Sequence, residues 1–340
     1  MKYFLIFVIL VTVCYCRKAK KLNNSTQTTE QTEQTKYTSE LPVYNITELN
    51  QTWEIVYNTS FTFILNPEYT ICQQFNKSNK LPLFIYVHTS PENIKRRVLI
   101  RETWAKRSLF PNLRLVFMMG YTFESKTNEL LKLEYNTYKD IVQQDFIDSY
   151  RNLTYKCIMS LNWINTYCPN LEYIIKTDDD VIVNTFGLVS YLNELNNKNV
   201  SYRTKKLICN GWSGVRVSRN KNYKWYISKE EYPHEKFNKY CCGFAILFTG
   251  DLVALLYNQT FYTKYFWVDD YYMTGQLTQY IKDVTHEFIN SRFILEFCKI
   301  EKSFEWRIPR IITIHMQGDI NKGWYIWTNF LKYYNRSITL

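Results

Sequence analysis

From Leu81 onward the chain alternates runs of consecutive apolar residues with amphipathic stretches, and this alternation narrows the folds open to it. LPLFIYVHTS (81–90), LRLVFMMG (113–120) and LEYIIKT (171–177) are apolar at nearly every position. A strand with one wet face shows every second residue polar. A strand without that rhythm needs cover on both faces, the situation of parallel strands lying between helix layers. Between these runs, ENIKRRVLIRETWAKR (92–107), ESKTNELLKLEYNTY (124–138) and NLTYKCIMSLNWINTYC (152–168) read as helices, the last capped by Asn152, and DIVQQ (140–144) reads as a short strand. The pattern predicts an α/β fold with a mostly parallel central sheet flanked by helices. In such sheets ligands sit beyond the carboxyl ends of the strands.

One of those ends is unusual. LEYIIKT runs straight into Asp178, Asp179 and Asp180, followed by the apolar VIV and Asn184. Carboxylates this close cannot all ionise cheaply unless a cation joins them. A hard divalent metal with oxygen ligands, bridging to phosphate oxygens, would supply the missing charge. The alternative is a solvated acidic turn capping the helix that starts near Phe186. The position between two buried runs favours the metal, without separating a nucleotide-sugar transferase from a phosphatase or a nuclease.

The rest of the chain sets the compartment. MKYFLIFVILVTVCYC (1–16) is an apolar leader, short for a membrane span, followed by the basic Arg17–Lys21. Residues 17–60 are polar, low in complexity and rich in Asn-x-Ser/Thr, so they read as an extended glycosylated stem. Residues 61–340 are left as the folded domain, with 46% of the chain hydrophobic to build its core. Ten sequons begin at Asn23, Asn24, Asn45, Asn50, Asn58, Asn76, Asn152, Asn199, Asn258 and Asn335, and their density behind a leader favours a lumenal glycoprotein. Nine cysteines agree with an oxidising compartment and match no zinc spacing. The net charge of +11 is spread along the chain rather than gathered on one element, which argues against nucleic acid.

Six blocks, in consecutive order from about Leu81 to Trp327, carry a family resemblance. They are LFIYVHTSPENIKRRVLIRETW with VFMMG, the block from Asp140 to Asn170, IIKTDDDVIVN, KYCCGFAILFTGDLVALLY, WVDDYYMTG and IHMQGDINKGWYIW. Together they resemble glycosyltransferase family 31, the β-1,3-galactosyltransferases and β-1,3-N-acetylglucosaminyltransferases. The resemblance implies a GT-A-type nucleotide-diphospho-sugar fold. It implies that Asp180 ligates Mn²⁺, with Asp178 and Asp179 on the ribose side and in support of the metal, Asp178 also a candidate ligand, and His315 joining the metal. Arg97 and Arg101, one turn apart on the first helix, would either steady the nucleotide's charge or pair with internal carboxylates. Asp270 matches the base that takes the acceptor hydroxyl's proton, with Asp269 beside it; without the family, the pair reads equally as acidic residues at a helix start. Cys157 stands where relatives carry a small non-thiol residue. It is expected free, with Cys72, Cys168, Cys209, Cys241, Cys242 and Cys298 forming the bonds.

Two departures stand out. The segment Asp269-Asp270-Tyr271-Tyr272-Met273-Thr274-Gly275 is one residue longer before its glycine than the family's pattern, and Cys242-Gly243-Phe244 is bulkier than the family's glycine-rich counterpart. The implied activity is inverting, Mn²⁺-dependent transfer of a hexose or N-acetylhexosamine from a UDP-sugar to a hydroxyl of a glycan on protein or lipid. The resemblance places the protein as a single-pass type II protein of the Golgi membrane, held through its N-terminal segment with the domain in the lumen, or secreted if the leader is cleaved. A catalytically inactive lumenal glycan-binding protein of the same fold is the alternative, and the departures favour it. A metal-dependent phosphohydrolase is disfavoured for want of a second metal cluster.

Overall fold

Covering the parallel strands on both faces means that successive side chains must enter two different cores, and they do. A computed structural model describes residues 61–72, 83–169, 171–199 and 203–335. The leader and stem expected over 1–16 and 17–60 lie outside these residues. Strand β1 (Phe63–Leu65) is followed by β2 (Leu83–His88), helix α1 (Ile94–Glu102), β3 (Leu113–Tyr121), α2 (Ser125–Tyr138), β4 (Ile141–Ile147), α3 (Leu153–Tyr167) and β5 (Tyr173–Asp178). Along β2, Ile85 and Val87 join one core with Phe117, Met119 and Ile175. Phe84 and Tyr86 join the other, with Val116, Met118 and Ile174. All six β2 residues are buried. That two-sided burial is what the unbroken apolar run encodes.

The second half of the domain continues with β6 (Val181–Val183), α4 (Thr185–Asn196), β7 (Lys206–Trp212), β8 (Tyr240–Thr249), α5 (Leu252–Thr260), α6 (Asp269–Tyr271), β9 (Thr285–Phe288), β10 (Phe293–Ile294), α7 (Phe304–Arg307), β11 (Thr313–His315) and α8 (Ile320–Tyr333). The main sheet runs β1-β4-β3-β2-β5-β8-β7-β9. Its centre, β4-β3-β2-β5, is parallel, as expected. Strand β8 then runs antiparallel to both β5 and β7, so the whole sheet is mixed. A second sheet, β10-β11-β6, holds the strand that follows the aspartates.

Two details of the expectation change. Asn152 stands at the start of α3 but does not cap it; its amide donates to the Ile147 carbonyl instead, at 2.8 Å. The cysteines form Cys72–Cys168 and Cys209–Cys241, leaving Cys242 and Cys298 out of both disulfides, contrary to the expected pairing. Cys157 is unbonded and buried, as expected. Among the described residues no helix is long and apolar enough to cross a membrane.

Candidate active site

Parallel pairing puts the ends of β2 and β5 side by side, with His88 in register with Asp178. The three aspartates leave this edge together and separate at once, each toward its own partner. Asp178 Oδ1 accepts from Lys176 Nζ at 2.6 Å. Asp179, 4% exposed, accepts from the Thr89 hydroxyl at 2.6 Å, the Asn93 amide at 2.8 Å and Arg96 Nη1 at 2.6 Å. Asp180 Oδ1 lies 3.3 Å from His315 Nε2, with Arg96 4.0 Å from its other oxygen. The protein itself therefore supplies a positive or hydrogen-bonding group for each carboxylate, and the sequence-based need for an external cation is met in large part from within.

The same geometry divides the aspartates. Asp179 fixes the turn to the loop between β2 and α1, which is the supporting side of the role expected for it. Asp178 faces Lys176, and among the described residues no three His, Cys, Asp or Glu side chains gather as a metal cluster. The pair left facing each other is Asp180 and His315, one hard oxygen donor and one imidazole, a combination that suits Mn²⁺ provided a ligand completes the sphere. Strand pairing makes the pair: β6 runs antiparallel to β11 with Val181 opposite His315, and Met316 N–H donates to the Asp180 carbonyl at 2.8 Å. His315 and Arg96 outweigh the cost of burial and hold the Asp180 carboxyl below its usual range. The DDD turn caps no helix. Asn184 does, accepting from Gly187 N–H at 3.1 Å.

Arg97 and Arg101 pair with internal carboxylates, the second of the two alternatives the sequence left open. Arg97 is 1% exposed, and its guanidinium donates to both oxygens of Glu134 (2.9 and 2.8 Å) and to the Ser90 and Pro91 carbonyls (2.7 and 3.0 Å). Arg101 bridges Glu134 at 2.6 Å and both oxygens of Asp140 at 2.9 and 2.8 Å. The arginine that does reach the aspartates is Arg96, one position earlier. A helix turns about 100° per residue, so neighbouring arginines cannot face the same way. Their order along the helix was legible; the rotation that decided between them was not.

The opposite wall is built by an irregularity in β8. Cys209 of β7 pairs with Ile246, but Gly211 pairs with Cys241, so two steps along β7 match five along β8. The extra residues bulge out of the ladder where β5 ends, as bulges beside active sites do. Within the bulge, Gly243 N–H donates to Asp270 Oδ2 at 3.2 Å, and its carbonyl accepts from Lys176. A Cβ at Gly243 would sit 3.0 Å from the Asp270 Cβ, so the glycine permits this approach. Asp270 Oδ1 also accepts from Tyr271 N–H, at 2.7 Å. Burial and the neighbouring Asp269 push the Asp270 carboxyl up to about 7, against the opposing pull of these N–H donors and Lys176.

Both departures find a structural account here. After α6 the chain makes a π-helical turn, Tyr272–Gln276, the kind of turn that accommodates one extra residue within a helix. Thr274 ties that turn to β8: its hydroxyl donates to the Asp270 carbonyl at 2.6 Å and accepts from Cys241 N–H at 2.9 Å. Phe244 is buried in a hydrophobic core, its ring 5.9 Å from that of His315, so its bulk supports the histidine.

Sequence reasoning missed Lys176, Arg96, Gly243 and a chain of aromatic rings leading outward from the acidic pair. Trp267 lies 6.1 Å from Tyr150, whose hydroxyl accepts from Trp225 Nε1 at 2.6 Å, and Tyr223 packs on Trp225 at 5.3 Å. Tyr150, Trp225 and Tyr223 are all more than 40% exposed. The signal for Lys176 was present: a lysine inside a buried strand, two residues before Asp178 and so on the same face.

The model of the galactosyltransferase family matches residues 95–287. The chain is 33% identical over 273 residues to UDP-GalNAc:beta-1,3-N-acetylgalactosaminyltransferase 1 of Mus musculus, covering 77% of this chain and 81% of that protein. Its human counterpart is 31% identical over 273 residues, with the same coverage of 77% and 81%. Human beta-1,3-galactosyltransferase 2 is 33% identical over 220 residues, 63% of this chain and 50% of that one. Among solved structures, a galactosyltransferase LgtC in complex with donor and acceptor sugar analogues aligns with a TM-score of 0.34 at 12% identity, covering 74% of this chain and 95% of that one, a score too low to carry an argument.

Proposed function

The chain belongs to the galactosyltransferase family, and from that premise we propose that it transfers a hexose or N-acetylhexosamine from a UDP-sugar to a glycan hydroxyl, with inversion, forming a β-1,3 linkage. The observation that carries the reading is Asp270. It is a half-buried carboxylate held by two backbone N–H groups, with its pKa at about 7. A base poised near the working pH combines a populated deprotonated form with a real affinity for the proton. Asp270 would accept the acceptor hydroxyl's proton as the oxygen attacks the anomeric carbon, on the side opposite the departing diphosphate.

Asp180 and His315 are the residues that would hold Mn²⁺, and the ion, when bound, supplies positive charge against the charge growing on the leaving diphosphate. Arg96, anchored on Asp179 and close to Asp180, is placed to add a fixed positive charge on the same side. The exposed rings of Tyr150, Trp225 and Tyr223 give the acceptor's pyranose faces a surface to stack on, leading toward Asp269 and Asp270. The cluster of sequons and the leader support a Golgi-lumen protein held by its N-terminal segment, working on glycans of protein or lipid. The test is a transfer assay with Mn²⁺ and a panel of UDP-Gal, UDP-GlcNAc and UDP-GalNAc against β-linked glycan acceptors. Transfer of one sugar with β-linked product supports the reading; acceptor binding with no donor turnover across the panel would replace it with an inactive glycan-binding protein.

A further inference from the structure

Between the metal side and the base side of the site stands one buried cation to which no role has yet been given. Lys176 lies in the middle of β5, opposite Tyr86 of β2 on one flank and Ile246 of β8 on the other. Its side chain is 4% exposed. A lysine in such a place is costly unless its ammonium is fully engaged. Its Nζ reaches Asp178 Oδ1 at 2.6 Å and the Gly243 carbonyl in the β8 bulge. The preceding peptide group of that bulge donates through the Gly243 N–H to Asp270.

We infer that Lys176 is the positioning residue that joins the two halves of the active site, fixing the β8 bulge against Asp178 so that Gly243 can hold Asp270 in place. The inference rests on the reading of Asp270 as base. The chain of contacts runs from Asp178 through Lys176 to the Gly243 carbonyl, and from the Gly243 N–H to Asp270 Oδ2. Lysine suits the task because one ammonium donates to two oxygens on different strands, whereas a planar guanidinium is longer and fixed in shape. Its positive charge also acts on the base. The groups facing Asp270 are Asp269 on its own turn, Lys176 on β5, Tyr240 and Cys242 on β8, and Tyr150 before α3. Lys176 is the cation in this set.

Two variants separate positioning from mere stability, both read as kcat and donor KM across pH 5.5–9 beside melting curves. Lys176→Gln keeps a donor for the Gly243 carbonyl but removes the charge. The rise of kcat with pH should then move up by about half a pH unit or more, since a lost positive neighbour makes a carboxyl harder to ionise. Lys176→Arg keeps the charge but not the fit; its midpoint should stay near wild type while kcat falls about tenfold with donor KM little changed. If both variants keep the wild-type midpoint and kcat and lose only melting temperature, the inference is overturned. Should the glutamine variant not fold, the arginine variant alone decides: wild-type kcat there sinks the idea. Asp270→Asn run in parallel keeps the two claims apart. If that variant stays active, the base is misassigned; if it is dead while the lysine variants behave as wild type, only the role of Lys176 falls.

Discussion

The triple aspartate and the Asp269–Asp270 pair bring the same functional group into opposite surroundings. Around Asp178–Asp180 every carboxylate meets Lys176, Arg96 or His315; Asp180 is held below the usual carboxyl range, while burial pushes Asp178 up against the pull of Lys176. Around Asp270 the donors are backbone N–H groups, the nearest carboxylate is Asp269, the walls include Tyr271, Tyr240 and Trp267, and the pKa rises to about 7. Environment alone separates Asp180 from Asp270. Asp180 stays charged at any working pH and can face a cation and a diphosphate. The other exchanges a proton near neutrality.

Breaking the charged half should give the largest effect. Asp180→Ala removes one of the two side chains that, in the proposed reading, would hold the metal, and separates His315 from the carboxylate it faces. Transfer should fall to background, and Mn²⁺-dependent UDP binding, measured by calorimetry, should disappear while the melting temperature stays within a few degrees. Manganese-dependent UDP binding that survives the substitution removes Asp180 from the metal site.

Asp270→Asn breaks the other half. Loss of a general base typically costs about a hundred- to ten-thousand-fold in kcat. Donor binding should persist, because Asp270 lies across the bulge from Asp180 and His315. Stability supplies a second readout with a definite sign. A carboxyl whose folded pKa is raised to about 7 binds its proton more tightly folded than unfolded, so wild-type stability falls as pH rises from about 4 to 7. Asparagine carries no charge to bury. The variant should therefore melt higher than wild type at pH 8 and about the same at pH 4, and equal melting at pH 8 would refute the buried-charge account.

How much of this contrast the sequence disclosed follows from the range of the interactions. Strand-by-strand burial was legible because two-sided cover leaves its mark locally, residue after residue, in Leu83–His88 and Tyr173–Asp178. The acidic motif and Asp270 were legible as positions. Which partner each carboxylate takes was not, because Arg96, Thr89 and Asn93 are 83 to 90 residues from Asp179, and His315 joins Asp180 only through the pairing of β6 with β11. Which alternative Arg97 and Arg101 take was not legible for the same reason: the carboxylates they bind, Glu134 and Asp140, lie 33 to 39 residues away. The β8 bulge and the π turn leave no periodic trace at all, and they build the half of the site around Asp270.

The Arg97–Glu134–Arg101 cluster gives a control for the comparison, since its charges serve the scaffold. The Glu134 side chain is 3% exposed and accepts from both arginines. Glu134→Gln leaves two buried guanidinium groups without their shared counter-charge, a change that typically costs about 3–5 kcal/mol of stability. Chemical denaturation should show that loss. In folded protein at low temperature, kcat and donor KM should remain within about twofold of wild type. A large drop in donor affinity with intact stability would instead return these arginines to the nucleotide.

The smallest effect tests the like charge that stands beside Asp270. Asp269 begins the short α6 helix beside Asp270, and its negative charge is, after burial, the largest influence raising the Asp270 pKa. Asp269→Asn keeps the shape and removes that charge. Ionising Asp270 then becomes easier, so the rise of kcat with pH should move to lower values, on the order of half a pH unit. At pH 6 the variant should turn over slightly faster than wild type. At pH 8, where Asp270 is already ionised in both, it should be slower by a few-fold at most, because a more acidic carboxylate is a weaker base. The direction is opposite to that expected for Lys176→Gln, so the two profiles bracket wild type from either side. If Asp269→Asn instead abolishes turnover while Asp270→Asn retains it, the π turn has not kept the helix start in place. The base is then Asp269.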